Sequence, residues 1–446
     1  MKAKWISLIL CASLCFSALS GCGGGGNKTD DRDDRYIVLM LTNKHWEMGI
    51  QFMPTMKALY GETDPDSDRM YAAGFIGPML LTQSVEEMRK QVNDVFDAAE
   101  HYNVPVYFQL DDNTNYSAMM GYGAEVKFYE DPEMCEWIAF PEEGEEYGGQ
   151  SHGMLPRFWF NWSVWTYSPA FPNLASSKLI DFVTNNLREG FIKPMKERYQ
   201  KLINSGKAYL FAGCAVGWET HIPDYSPSNT MLNMKPSAPP KDILTGDTMQ
   251  AFEFAQYGYG ALHSLGYDQQ KLNSEAAALG KTPSVYMKEI LFEVIHDYTE
   301  LLSKEVYDAG VPTRKIFTHT VGHHSVKAEN TSLCTFFPPI WVAVNPYSTP
   351  GFTLSPVTCP YDLDNLKARI SAADPAQSDF ALAEGYASGF STVSAAEGYF
   401  TETFGANSRI ITAFGFGDTG SRLFPFELTE SFPYTIAANR WLNGEI

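Results

Sequence analysis

The sequence has little that would mark a redox, zinc-binding or membrane-spanning protein. Its 446 residues contain seven cysteines, and no two of them are spaced as CxxC. The absence of CxxC excludes zinc ribbons and thioredoxin-like chemistry. Whether a disulfide forms among the four cysteines outside the N-terminal segment is left open. Beyond that segment no apolar run approaches the length of a transmembrane helix. The four scattered cysteines are Cys135, Cys214, Cys334 and Cys359.

Basic residues are scarce as well. The chain has 33 Lys and Arg against 53 Asp and Glu, a formal net charge of −20. A strongly acidic chain repels phosphate backbones, so we expect no nucleic-acid partner. The same charge weakly favours neutral or cationic substrates over polyanionic ones.

Motifs for phosphate-bearing cofactors are incomplete. The segment Gly280-Lys281-Thr282 lacks the upstream glycine of a P-loop, because position 275 is Glu275. Gly415, Gly417 and Gly420 match GxGxxG after a predicted strand, but no second βαβ unit follows. A turn that uses flexible glycines explains this segment better than a phosphate loop, and we predict no cofactor.

The N-terminus has the pattern of a targeting segment. Lys2 and Lys4 precede an apolar run of signal-peptide length, which ends in Leu19-Ser20-Gly21-Cys22. This ending resembles a bacterial lipobox, and the resemblance implies cleavage before Cys22 and lipidation of its thiol. We therefore expect a signal peptide over 1–21, a flexible tether over 22–34 and a lipid-anchored protein of the bacterial cell envelope, on the outer membrane or cell surface. Membrane contact would be through this lipid only.

Buried strands that alternate with helical segments indicate the fold class. Eight such strands predict an α/β fold, a (β/α)8 TIM-type barrel. We expect one barrel domain over 35–446 with long βα loops. Ser84 and Glu87 form a capping-box pattern at the start of the first predicted helix. The predicted strands are Arg35–Leu41, Val104–Leu110, Arg157–Trp162, Lys207–Glu219, Lys315–Val321, Pro339–Asn345, Phe380–Glu384 and Arg409–Gly415. The longest predicted helices are 176–204 and 284–309, and shorter ones are expected over 84–101, 362–373 and 427–442.

Two glutamates end predicted strands in this pattern. Glu219 follows the fourth strand and Glu384 ends the seventh. Strands three apart in a barrel of eight lie nearly opposite, so both carboxylates can reach one central pocket. Glycosidic cleavage needs two such groups, one to protonate the leaving oxygen and one to attack or to activate water. Glu397 also lies in an Ala-Glu-Gly context, but its surroundings are typical of a loop or helix start.

At these residues the chain resembles the clan of retaining (β/α)8 glycoside hydrolases. Their acid/base follows strand four and their nucleophile follows strand seven. The resemblance implies that Glu219 is the acid/base, that Glu384 is the nucleophile and that the anomeric configuration is retained. The clan has Asn directly before the acid/base, whereas this chain has Trp218.

Aromatic and polar residues follow the predicted strands where a sugar would lie. Indole rings stack on the apolar faces of pyranoses, and polar side chains bind hydroxyls. Trp159 and Trp341 fall inside predicted strands, so we expect them in the core. The predicted substrate-binding residues are His45, Trp46, Asp111, Asp112, Trp162, Trp165, Trp218, His319, Asn345 and Tyr347.

Two other functions remain open. A non-catalytic glycan-binding lipoprotein would keep the tryptophans but would not hold two carboxylates at catalytic separation. A metal-dependent hydrolase would use His319 with His323 or His324, together with His45 or Asp111. The sequence has no HExxH motif, and we predict no metal. We expect a carbohydrate partner, and the oligomeric state is left open.

Overall fold

The computed structural model describes residues 29–41, 46–111, 128, 131–141, 158–161, 164–167, 170–226, 255–322, 334–354, 362–385, 387, 389–416 and 429–446. Nine parallel strands in these residues form one sheet. Two more strands, β4 and β5, form a separate antiparallel hairpin. In chain order the strands are β1 Arg35–Leu41, β2 Arg69–Met79, β3 Val106–Asp111, β4 Phe158–Asn161, β5 Val164–Tyr167, β6 Phe211–Val216, β7 Ile316–Thr318, β8 Thr320–Val321, β9 Gly351–Thr353, β10 Phe380–Glu384 and β11 Ser408–Phe416.

The sheet closes into a barrel. Its order is β7-β6-β3-β2-β1-β11-β10-β9-β8. The two end strands, β7 and β8, are halves of one strand interrupted at His319. β7 pairs with β6 and also bridges to Thr349, and β8 pairs with β9. The ring therefore has eight parallel strand positions within the described residues, the (β/α)8 barrel that the sequence predicts.

A glycine permits the close approach at this closure. A Cβ on Gly351, at the start of β9, would lie 2.1 Å from the carbonyl oxygen of Thr318. The backbone N–H of Gly351 instead donates to the Thr318 hydroxyl at 3.0 Å. Any side chain at position 351 would push the fifth and sixth barrel strands apart.

Helices surround the barrel. Ser84 caps α2 by accepting from the N–H of Glu87, as the capping-box pattern predicts. Helices α3 and α4 are joined by a π-helical turn over Leu187–Ile192. The helices are α1 Trp46–Tyr60, α2 Val85–Tyr102, α3 Ser177–Asn186, α4 Lys193–Asn204, α5 Tyr259–Ser264, α6 Gln269–Ala278, α7 Pro283–Asp308, α8 Leu363–Ala373, α9 Val393–Gly405 and α10 Pro433–Leu442.

The strand assignment from sequence is wrong at the second, third and sixth positions. The second barrel strand is Arg69–Met79, which the sequence pattern misses, so the predicted second strand is in fact the third. Of the predicted strand over 157–162, the described part, Phe158–Asn161, belongs to the hairpin outside the barrel. The apolar run over 339–345 forms a 3-10 turn at Ile340–Ala343, and the sixth strand is the short Gly351–Thr353. Two missed strands and two false strands cancel in pairs, one pair before the fourth position and one before the seventh, so the fourth and seventh positions keep their numbers.

The amino-terminal end of the barrel holds a buried ionic cluster. Asp30 lies 2.8 Å from the ammonium of Lys315, and both side chains are almost completely buried. The Tyr199 hydroxyl donates to Asp30 at 2.5 Å. Residues 30–34 fall in the stretch expected to be a tether, and here they are bound to the barrel. This contact fixes the N-terminal segment at the end opposite the carboxyl ends of the strands.

Three of the four cysteines outside the N-terminal segment lie in the described residues. Cys135, Cys214 and Cys334 are buried and are not joined by disulfides within the described residues, and Cys359 lies outside those residues. Among the helices that the structure describes, none combines the length and apolar character needed to cross a bilayer. Trp341 is partly buried and packs against the core.

Candidate active site at the carboxyl ends of the barrel strands

Glu219 follows the fourth barrel strand in an uncommon backbone conformation. Its φ angle is 49°, in the left-handed region, and Gly217 two residues earlier has a φ of 88°. A non-glycine residue in this region costs about 1 kcal/mol or more and persists only where its surroundings hold it. Here Nδ1 of His221 lies 2.5 Å from the carbonyl oxygen of Glu219 and donates a hydrogen bond to it. The local strain is therefore held in place beside a candidate catalytic carboxylate.

Glu384 is the last residue of β10, the seventh barrel strand. Its side chain is nearly buried, and its carbonyl oxygen accepts from the N–H of Leu354 at 2.9 Å. The next residue, Gly385, donates its N–H to the hydroxyl of Thr412 on β11 at 3.0 Å. Bonds to both neighbouring strands fix the position of this carboxylate.

The two carboxylates meet. One carboxylate oxygen of Glu219, one of Glu384 and a ring nitrogen of His319 all lie within 4.8 Å of one another. Glu219 is partly exposed, whereas His319 and Glu384 are buried. Two acidic side chains 165 positions apart in the sequence thus meet at the carboxyl ends of the strands.

Trp218 connects these two residues. Its indole N–H donates to Oε2 of Glu384 at 3.0 Å. The ring of Phe414, on the eighth barrel strand, packs edge-on against the indole with centroids 6.0 Å apart. An indole N–H can only donate, so this contact favours the ionised form of Glu384.

A second set of buried groups supports Glu219 from inside the barrel. The Thr353 hydroxyl donates to Oε1 of Glu219 at 2.7 Å. His319 contacts that hydroxyl through Nε2 at 2.8 Å, and its Nδ1 lies 3.0 Å from the amide nitrogen of Gln109. Burial lowers the pKa of His319 to about 3, so the ring is neutral at pH 7.

The side chain of His319 is not exposed to solvent. It is fully buried, and both ring nitrogens hold hydrogen bonds to protein groups. The residue types around it would suit a divalent cation. A metal ion could bind His319 only by displacing Gln109 or Thr353, so the geometry fits hydrogen bonding better than metal ligation. His323 and His324 lie outside the described residues.

Three other predicted substrate ligands lie away from the carboxylates. Trp46, at the start of α1, donates its indole N–H to Asp94 of α2 at 2.9 Å, within the outer layer of helices. Asn345 and Tyr347 precede β9 and therefore lie at the amino-terminal end of the barrel. The side-chain oxygen of Asn345 accepts from the N–H of Tyr347 at 3.0 Å, a local turn contact.

Two further acidic residues from the sequence analysis, Asp111 and Glu397, lie in the described part of the chain. Asp111 ends β3, next to the fourth strand, and its side chain is buried. Glu397 lies on α9 and pairs with Arg440, away from a strand end. His45, Asp112, Trp162 and Cys22 lie outside the described residues, and for Trp165 only its place in β5 is described, as for Trp159 in β4.

Sequence reasoning misses several residues that surround the carboxylates. Gln109, Tyr107 and Thr353 lie on barrel strands and are buried, and the Tyr107 hydroxyl donates to Gln109 at 3.3 Å. Burial first, then the nearby Cys214 and Glu384, raises the pKa of Tyr107 well above its ordinary value. Tyr107 and Gln109 are two apart on one strand and so share a face, a pattern that the sequence does contain.

No family model matches the sequence, and no curated protein matches it. One similar solved structure is the catalytic domain of β-amylase from Paenibacillus polymyxa, with TM-score 0.49, 11% identity, 91% of this chain covered and 98% of that chain. Another is a thermostable mutant of a xylanase (Xyn10A) from Cellvibrio japonicus, with TM-score 0.40, 10% identity, 92% of this chain covered and 98% of that chain.

Proposed function

We propose that this protein is a glycoside hydrolase that cleaves a glycan by a two-carboxylate, retaining mechanism. The observation that carries the proposal is the meeting of Glu219 and Glu384, with oxygens within 4.8 Å of one another. Retaining enzymes hold their carboxyl groups about 5–5.5 Å apart, and inverting enzymes about 6.5–9.5 Å. One pair of oxygens within 4.8 Å favours the shorter of these two arrangements, in which one carboxylate attacks directly, because little room is left for a water molecule between the two groups.

The hydrogen-bond partners support distinct roles for the two carboxylates. The indole of Trp218 can only donate, so it stabilises Glu384 as an anion, the form that a nucleophile needs. Glu219 is partly exposed, whereas Glu384 is buried, so Glu219 is the carboxylate that can gain and lose a proton. Glu219 is thus the acid/base and Glu384 the nucleophile, as the family resemblance implies.

The reaction proceeds in two steps. Glu219 gives its proton to the glycosidic oxygen while Glu384 attacks the anomeric carbon, so the C–O bond breaks and a glycosyl ester forms on Glu384. Glu219, now ionised, removes a proton from water, which attacks the same carbon and releases Glu384. Two inversions give net retention.

A panel of 4-nitrophenyl glycosides and plant, microbial and animal glycans tests this proposal. We expect turnover of at least one substrate, a fall of 100-fold or more for Glu219→Gln, and loss of turnover with retained binding for Glu384→Gln. Glu397→Gln is the matched control, because it is a second Ala-Glu-Gly glutamate and pairs with Arg440. Activity of Glu384→Gln equal to that of the control variant would remove Glu384 from the mechanism.

The stereochemical claim has its own test. Proton NMR of the first product should show the anomer of the substrate, and a 2-deoxy-2-fluoro glycoside should add its sugar mass to the peptide that contains Glu384. Formation of the opposite anomer would contradict the retaining mechanism, but it would not contradict the proposal that the protein is a glycoside hydrolase.

The same panel separates the two rival functions. A glycan-binding protein would retain ligands on an array without turnover by the wild type. A metal-dependent hydrolase is favoured by one observation, the cluster of Glu219, His319 and Glu384. It would lose activity in a chelator and recover it with a divalent cation, whereas the two-carboxylate mechanism predicts unchanged rates.

We also propose attachment to the bacterial envelope through lipid on Cys22. Cys22 precedes Asp30 by eight positions, a reach of about 28 Å at full extension. Because Asp30 is bound at the amino-terminal end of the barrel, this anchor would direct the carboxylates away from the membrane. Cys22→Ala should move the protein from the membrane fraction to the soluble fraction of the cells that express it, and retention in the membrane fraction would count against the anchor.

A further inference from the structure

Four buried polar side chains lie below Glu219 inside the barrel. Tyr107, Gln109, His319 and Thr353 are each at most 2% exposed. Buried polar groups are costly unless they are hydrogen-bonded, and a partly satisfied network is worse than an apolar core. These four groups are joined by successive contacts, and the last contact is to the candidate acid/base.

The direction of the hydrogen bonds can be established from a backbone group. The amide nitrogen of Gln109 lies 2.7 Å from the carbonyl oxygen of Gly217, which can only accept. This contact identifies the amide nitrogen of Gln109, and the Tyr107 hydroxyl donates to the amide oxygen. The second amide hydrogen is then directed at Nδ1 of His319, 3.0 Å away.

The direction continues through the ring. A neutral imidazole has one N–H, and because Nδ1 of His319 accepts, the proton is on Nε2. Nε2 therefore donates to the Thr353 hydroxyl at 2.8 Å. The Thr353 oxygen receives this hydrogen, and its own hydrogen is donated to Oε1 of Glu219 at 2.7 Å.

We propose that Gln109, His319 and Thr353 form a one-way hydrogen-bond relay that positions Glu219, with its direction set by the carbonyl group of Gly217. The inference rests on the proposed role of Glu219 as acid/base. The relay makes Oε1 an acceptor, so the proton that Glu219 transfers is carried on Oε2. It also stabilises the ionised form that Glu219 reaches after it protonates the glycosidic oxygen.

Other titratable groups face Glu219, and the relay acts beside them. Glu384 approaches from β10 and His319 from the fifth strand, while His221 is on the same loop as Glu219. Tyr107 lies on β3, two residues from Gln109. A substitution at Thr353 leaves the residues that carry these groups in place, and it removes two hydrogen bonds together, the one that His319 donates and the one that Glu219 accepts.

Thr353→Val removes the hydroxyl and keeps the shape of the side chain. We expect the alkaline limb of the pH profile of kcat/KM, which reports the proton on Glu219, to move up by about one pH unit. Thr353→Ser should restore the wild-type limb. Thr318→Val is the matched control, because this buried hydroxyl bonds only to backbone, donating to Ala343 and accepting from Gly351. The control should leave the limb unchanged.

A second measurement does not require turnover. Carbon-13 NMR of protein labelled at glutamate Cδ should give a higher titration midpoint for Glu219 in Thr353→Val than in the wild type, with Glu219→Gln used to assign the signal. Equal midpoints in the two proteins would overturn the relay even where Glu219→Gln abolishes activity. Full activity of Glu219→Gln would instead overturn the proposed function, and the NMR midpoints would still decide the relay.

Discussion

The indole N–H of Trp218 donates a hydrogen bond to a carboxylate oxygen of Glu384 at 3.0 Å, although 166 positions separate the two residues. The residue before the candidate acid/base therefore stabilises the candidate nucleophile. One hydrogen bond links the carboxyl ends of the fourth and seventh barrel strands, so a change at Trp218 should affect the chemistry as well as the packing.

Trp218→Phe keeps an aromatic ring against Phe414 and removes the donor. We expect kcat to fall about 10- to 100-fold, because hydrogen bonds to charged groups contribute about 1.5–3 kcal/mol. The acidic limb of the pH profile should also move upward, since Glu384 ionises less readily without the donor. Steady-state kinetics from pH 4 to 9 measure both effects.

Trp441→Phe is the control for loss of an indole. Trp441 is buried and stacks on Phe404 with centroids 4.1 Å apart, at the end of the chain. This variant should unfold at a lower temperature with kcat unchanged. Equal losses of kcat in the two variants would mean that Trp218 acts through packing alone.

The two carboxylates could be predicted from sequence because strand ends are visible there. Each follows a short apolar run, and the carboxyl ends of parallel strands meet at one edge of a barrel. The second barrel strand was not visible, because Gly74, Gly77 and Pro78 interrupt its apolar pattern. The sixth strand, at three residues, is too short to give a periodic signal.

The relay could not be predicted from sequence for a different reason. Gln109 and Thr353 are polar residues on strands, and polar residues usually mark the solvent-facing side. The barrel interior is polar at this level only because these side chains satisfy one another across the fifth, sixth and third strands. That pairing depends on three-dimensional register, which single-strand patterns do not contain.

His221 should make the protein less stable in acid. Burial, partly opposed by the hydrogen bond to the Glu219 carbonyl group, lowers the pKa of His221 to about 4. The unfolded chain binds a proton near pH 6.5, so stability from this group is complete above that pH and falls as the pH drops towards 4. We expect a loss of about 1.4 kcal/mol per pH unit from this residue.

His221→Asn retains a donor for the carbonyl group and removes the titration. Urea unfolding at pH 7, 6 and 5 should therefore show a shallower decline than in the wild type. His319, whose pKa burial lowers to about 3, keeps its own contribution in both proteins. His101→Asn, at an exposed position of α2, is the control and should follow the wild type. A wild-type slope in His221→Asn would refute this assignment.

Glu136 should act in the opposite direction. It is fully buried, and burial, opposed by backbone N–H groups of Ala261 and Trp137, raises its pKa to about 8. The folded protein holds a proton that the unfolded chain releases near pH 4.5. Stability from this group is therefore complete below pH 4.5 and is lost as the pH rises through 8.

Glu136→Gln cannot ionise, so its free energy of unfolding should not fall over this range. The difference in unfolding free energy between the variant and the wild type should therefore shift in favour of the variant by up to about 4 kcal/mol between pH 4.5 and pH 8. Glu133→Gln, on the exposed 3-10 turn just before, is the matched control. Parallel stability curves for Glu136→Gln and the wild type from pH 5 to 8 would show that Glu136 is ionised in the folded protein.

Asp30 should anchor the N-terminal segment through its ion pair with Lys315. Burial alone would raise the pKa of Asp30, but the Lys315 charge, hydrogen bonds from Lys315 and Tyr199, and the Arg314 charge outweigh it and lower the pKa. Stability from this group is therefore present above about pH 4, the unfolded value, and is lost as the pH falls further.

Asp30→Asn removes the ion-pair partner of the buried Lys315 ammonium, and the cost should be about 3–5 kcal/mol at pH 7. Asp31→Asn makes the same charge change one residue away, at an exposed site where Asp31 accepts a hydrogen bond from the Thr29 hydroxyl, and should cost under about 0.5 kcal/mol. Because the cluster lies at the end of the barrel opposite Glu219 and Glu384, kcat of the folded Asp30→Asn protein should equal that of the wild type. Equal unfolding free energies for the two variants would show that residues 30–34 are not held by this ion pair.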